Sequence, residues 1–144
     1  MRRKIMITDY EREQILAAGS FLERMGYEVK VDEYGVDYSN SNIKFSFDYP
    51  PYENTSQASI SFKGINDLFD LGWIMFVREQ IKVDAKKKLL NLLMILEFVK
   101  KHYEEITDYE YCKESNKLVS AYVEQHRTEY EKTVQDFLKS CGKL

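Results

Sequence analysis

The chain has 144 residues, with 21 basic and 24 acidic side chains and a formal net charge of -3. That length suits one compact domain, and 44% hydrophobic with 31% charged residues are globular values that exclude wholesale disorder. Six glycines and two prolines exclude collagen-like chains, two cysteines are too few for a disulfide framework or a four-ligand zinc site, and the near-neutral balance argues against nonspecific nucleic-acid binding, which needs a basic excess.

At the N-terminus, Arg2-Arg3-Lys4 is followed by only Ile5, Met6 and Ile7 before polar residues return. A secretory apolar region needs roughly 7–15 residues. The longest apolar stretch, 89–99, is broken by Asn91 and Glu97 and is shorter than the ~20 residues that cross a bilayer. The expectation is a protein of the reducing cytoplasm with no membrane span, in which the sequon Asn54-Thr55-Ser56 is idle.

Thr8 and Glu11 form a capping-box pattern, and Ile15, Leu16, Ala18, Phe21, Leu22 and Met25 follow at helical spacing. A helix over 9–25 ends at Gly26, which suits the left-handed position after a helix. The period then changes to two. Tyr27, Val29 and Val31 alternate with Glu28, Lys30 and Asp32, and Val36 and Tyr38 continue after a break at Gly35. Ser39-Asn40-Ser41-Asn42 is a turn cluster. Ile43, Phe45, Phe47 and Tyr49 alternate with Lys44, Ser46 and Asp48 until Pro50-Pro51, which lacks donors for a ladder. Ala58, Ile60 and Phe62 alternate with Ser59, Ser61 and Lys63. This predicts a three- or four-stranded antiparallel meander with one apolar face.

The remainder reads as helical. Asn66 or Asp67 caps a short turn through Leu68 and Phe69, and an apolar segment runs from Gly72 to Ile81. Asp84 caps a helix over 85–105 that is apolar almost all round, hence central and buried. A last helix over 115–140 carries the stripe Leu118, Val119, Tyr122, Val123, His126, Tyr130, Val134, Phe137, Leu138 and Cys141. The fold class is α+β: an N-terminal helix, the meander, then three or more helices packed on one sheet face, as a single domain over 1–144.

Chemistry is sparsely marked. His102, Cys112, His126 and Cys141 lie 10, 14 and 15 residues apart, without zinc-site spacing. No glycine-rich phosphate loop and no GxSxG elbow is present, so no cofactor or metal is expected. Cys112, between Glu110 and Glu114, and Cys141 read as structural or idle thiols. Lys86-Lys87-Lys88 reads as a solvated face, or as a contact for a phosphate or an acidic partner. His126, one turn from Tyr122 and Tyr130, reads as a partly buried imidazole bonded to a tyrosine hydroxyl or a carbonyl. The other reading is a general base in an enzyme pocket with Tyr122, Glu129 and Tyr130.

Tyrosine placement is the strongest signal. Residues 27–56 hold five tyrosines and six acids against two lysines, and residues 103–114 hold three tyrosines and five acids against one lysine. Each stretch is net -4, so eight of the eleven tyrosines sit in segments totalling -8 within a chain of -3. Tyrosine is enriched at interfaces, and interspersed carboxylates steer a basic partner. The reading is a docking surface of Tyr34, Asp37, Tyr38, Asp48, Tyr49, Tyr52, Glu53, Tyr109 and Tyr111. Its alternative is tyrosines that point inward while acids solvate the open face.

The leading helix, the meander ending in Ile60-Ser61-Phe62, the segment Phe69-x-Leu71-Gly72-Trp73-Ile74 and the terminal helices together resemble the immunity proteins of Gram-positive polymorphic toxin systems. The likeness is one of layout over most of the chain and transfers no functional residue. It implies a non-enzymatic inhibitor that binds a toxin tightly, often a basic nuclease. The expected function is therefore a non-enzymatic protein-binding module with a basic protein partner. The alternatives are the small enzyme near His126, or a homo-oligomer with Trp73 and Phe76 at its interface. Trp73 itself is expected in the core.

Overall fold

The computed structural model describes residues 6–142. Helix α1, Asp9–Ala18, opens with the capping box: Thr8 Oγ1 accepts from Glu11 N, and Glu11 Oε1 accepts from Thr8 N, each at 3.1 Å. The single helix read over 9–25 is instead two. Gly19 interrupts it, and a short α2 covers Ser20–Arg24. Gly26 follows at φ +98°, in the left-handed region expected of it.

Five strands form one antiparallel meander in the order β1 (Glu28–Val31), β2 (Gly35–Ser39), β3 (Ile43–Asp48), β4 (Gln57–Phe62) and β5 (Leu68–Asp70). The turn between β1 and β2 is fixed by Asp32, whose Oδ1 accepts from the backbone N–H of Tyr34 and Gly35 at 2.7 and 3.0 Å. Asn40 does the same between β2 and β3, accepting from Asn42 and Ile43. Strand β5 falls where the sequence suggested a helical turn. Three residues are too short for a period to show, and pairing of Ile60 with Phe69 recruits them as an edge strand.

The register places Val29, Tyr38, Phe45, Ile60 and Phe69 in one cross-strand row facing the helices. Val36, Phe47 and Ala58 lie in the next row on the same face. Both rows are buried except Val29 and Val31, the partner of Val36. The opposite face carries Lys30, Asp37, Ser46, Ser59 and Asp70 in one row and Asp48 with Gln57 in another. It is a polar face.

Helix α3, Leu71–Glu79, is capped by Asp70, whose Oδ1 accepts from Trp73 N at 3.1 Å. Helix α4, Lys88–Lys101, buries Leu92, Ile95, Leu96, Phe98 and Val99, as its apolar run implied. It starts later than the position of Asp84 suggested. Asp84 Oδ1 instead accepts from Lys86 N in a turn. Ser56 ties the 85–88 segment down, because its N–H donates to the Ala85 carbonyl and its hydroxyl to the Lys88 carbonyl, both at 3.0 Å. After a short α5, Tyr103–Ile106, helix α6 runs over Tyr109–Ser140. Its N-cap is Asp108, which accepts from Glu110 N, so it begins six residues before the predicted start. Among the described residues, no helix is long and apolar enough to cross a membrane.

Candidate functional site

The two tyrosine-rich acidic stretches do meet. Tyr27, just before β1, and Tyr103 of α5 share a hydroxyl–hydroxyl hydrogen bond of 2.8 Å, with rings edge-on at 6.4 Å. They do not form the predicted docking surface. Tyr38 and Tyr49 are fully buried. Tyr34, Tyr109 and Tyr111 are half-buried, and only Tyr52 is exposed. The physical reason is strand alternation. Asp37 and Tyr38 are neighbours in β2, and Asp48 precedes Tyr49 at the end of β3, so the acid and the ring of each pair must point to opposite faces. The acids take the open face and the tyrosines take the core.

Each inward tyrosine has its own structural work. The Tyr49 hydroxyl donates to Glu11 Oε2. Lys88 Nζ lies 5.1 Å from the Tyr49 ring centroid. The Tyr109 hydroxyl donates to Asp67 at 2.8 Å while its ring packs edge-on against Phe62 and Phe69. The Arg78 guanidinium stacks 4.3 Å from the centre of the Tyr111 ring and donates from Nε to Ser115 Oγ at 2.9 Å. Tyr52, at φ +69°, and Glu53 remain on the surface loop after β3.

On the open sheet face, Asp37 pairs with Lys44 at 3.5 Å. Asp48 is half-buried beside them. Desolvation, reinforced by Asp37 and Asp32, pushes its carboxyl up to about 6. Cys112 is buried and donates from Sγ to the Ile106 carbonyl at 3.1 Å. Burial, with Asp108 nearby, pushes its thiol up to about 12, which suppresses the reactive thiolate. Among the described residues, no group of three or more His, Cys, Asp and Glu side chains could hold a metal ion.

His126 is exposed rather than partly buried. Its Nδ1–H donates to the Tyr122 carbonyl at 3.1 Å, and its ring lies on Tyr122 at 4.0 Å. It does not line the cleft described next, although Tyr122 of the same reading does.

The concave site lies one turn earlier along α6. A cleft of about 330 Å³ opens between β4, α3, the 82–85 segment, α4 and α6. Three rings line it: Trp73 and Phe76 from α3 and Tyr122 from α6, with centroids 4.8–6.0 Å apart. Trp73 is 40% exposed there, not in the core as expected. Residues 73 and 76 share one side of α3, while Leu71, Ile74 and Met75 take the buried side. The deep wall holds Asn91, from α4, and Ser56. The sequence marked neither. The available signal was Asn91, a lone amide within the apolar run of α4.

A second unassigned feature is the far half of α6. Tyr122 is the last α6 residue with a ring contact to α3. From 123 to 137 every residue is exposed. Val123, Tyr130 and Phe137 recur every seven residues at 47%, 71% and 65% exposure, with Val134 beside them. The helix extends ~27 Å beyond Tyr122 at 1.5 Å per residue. No protein-family model, curated protein or solved structure matches this chain.

Proposed function

We propose that the chain is a non-enzymatic protein-binding module that grips its partner along the projecting half of α6. The observation that carries this reading is the exposed seam of Val123, Tyr130, Val134 and Phe137. An isolated helix of that length is marginal in water, and large exposed rings at heptad spacing favour cover by another apolar surface. The partner is a protein that lays an apolar helix or groove along this seam. Tyrosine and phenylalanine anchors offer much contact area for few rotatable bonds.

The partner's basic character rests on the stretches 27–56 and 103–114, which are net -8 and meet at Tyr27 and Tyr103. Their carboxylates would steer a basic protein toward the arm and set its rate of association. An inhibitor of the immunity type, as the sequence layout suggests, works by such binding alone. The test is affinity capture from the native host, followed by affinity measurement with the purified partner. Tyr130→Ala or Phe137→Ala should weaken binding at least ~30-fold if either is a hot spot, with unfolding unchanged. Equal affinity in the double variant would sink the proposal. So would sedimentation showing a dimer that the same substitutions dissociate, which would make the seam a self-interface.

A further inference from the structure

We infer that the cleft beside α3 is a binding site for a free small molecule: a planar aromatic of no net charge that carries an N–H donor. This is separate from the arm of α6 and does not depend on it. Size comes first. A cavity of about 150 Å³ already accepts benzene in a protein core, so the 330 Å³ here holds one bicyclic ring system. The lining comes second. Trp73, Phe76 and Tyr122 meet at steep angles, 57–83° between planes, so they present both faces and edges to an inserted ring.

Polarity is set by Asn91. The Ser56 hydroxyl has one proton, which it gives to the Lys88 carbonyl, so its oxygen must accept from Asn91 Nδ2 at 2.9 Å. That fixes the orientation of the amide. Asn91 is 4% exposed, and its Oδ1 has no partner among the described residues. A buried carbonyl oxygen without a donor is unfavourable, and an N–H brought against the cleft wall would relieve it when the Asn91 side chain shifts to present Oδ1. The lining carries one acid, Asp70, and one base, Lys82. Together they favour neither a phosphate nor a cation, which leaves a neutral or zwitterionic ligand.

The test uses the full chain and three probes: indole, 1-methylindole and N-acetyltryptophanamide. Titrations are followed by amide and indole N–H resonances. Indole should shift the signals of Trp73, the only tryptophan, and of Asn91. The methylated probe, equal in shape but without the donor, should bind at least tenfold more weakly. In Asn91→Leu the two should become equal. Because the discrimination is read on the unaltered chain, a folding defect in that variant does not blunt the test. Equal affinity of the first two probes, no binding, or shifts away from the cleft would overturn the inference. Tighter binding of N-acetyltryptophanamide than of indole would also overturn it, by assigning the cleft to a partner's side chain.

Discussion

Gly19 and Tyr38 touch across the interface between the N-terminal helices and the sheet. A Cβ placed on Gly19 would lie 2.2 Å from the Tyr38 hydroxyl oxygen and 2.6 Å from its Cζ. The glycine is required by this contact and not by its backbone angle, which is an ordinary φ of -89°. Gly19→Ala should therefore destabilise the fold by about 1–3 kcal/mol through overpacking. Tyr38→Phe should be neutral or slightly stabilising, because the buried hydroxyl it removes has no partner among the described residues. The pair should couple, with the double variant losing less than Gly19→Ala alone. Denaturant midpoints decide this. A harmless Gly19→Ala would mean that the ring moves aside freely.

Tyr49 and Glu11 join the end of β3 to the first turn of α1. Burial alone would raise the Glu11 carboxyl, but the Tyr49 hydroxyl, Thr8 and Lys88 outweigh it, and the group lies below its ordinary value. A carboxylate lowered on folding stabilises above its unfolded pKa, and that stability is lost as pH falls through the folded one. Tyr49→Phe should cost about 1–2 kcal/mol at pH 7, the order of one charge-assisted hydrogen bond that is partly screened. The difference from wild type should shrink at acid pH. A penalty equally large at pH 3 would assign it to ring packing instead of the carboxylate.

These two contacts show where the sequence was legible. The capping box, the turn asparagine at 40, the alternation of β2 to β4 and the apolar circumference of α4 are local patterns, and each appears as its period implies. The fold class follows from them. The close approach at Gly19 was not legible, because the ring that requires it lies 19 residues away in sequence. The same holds for β5, which exists only because β4 offers it an edge. Tyr38 could not join Asp37 on one docking surface, because residues adjacent in a strand cannot share a face. The aromatic cleft needed α3 and α6 to be brought together, and no local period reports that.

Asp48 should make stability depend on pH in the direction opposite to Glu11. Its carboxyl is raised to about 6, so between roughly pH 4 and 6 the folded chain holds a proton that the unfolded chain releases. The contribution of this group is greatest below about pH 4 and falls as pH rises through 6. Asp48→Asn, which keeps the shape and removes the charge, should stabilise the chain at pH 7 by about 1 kcal/mol, after solvent screening of a half-buried site. Near pH 4 the two proteins should unfold together. A constant gap across that window would mean that the amide gains a hydrogen bond the carboxylate lacks.

The arm of α6 should be dispensable for folding. Residues 123–137 are all exposed, whereas Tyr122 packs against Phe76 with centroids 4.8 Å apart. A chain ending after Gln125 should therefore unfold at nearly the same denaturant concentration, within the ~0.5 kcal/mol usual for surface changes. Its far-ultraviolet circular dichroism should fall by the share of helix removed. Tyr122→Ala should behave differently and lose roughly 1–3 kcal/mol, since it withdraws a half-buried ring from Trp73 and Phe76. The contrast carries the functional argument, because an exposed apolar seam that contributes nothing to stability is free to bind a partner. If truncation instead unfolds the domain, the seam packs on the body in solution, and the partner must be sought on another face.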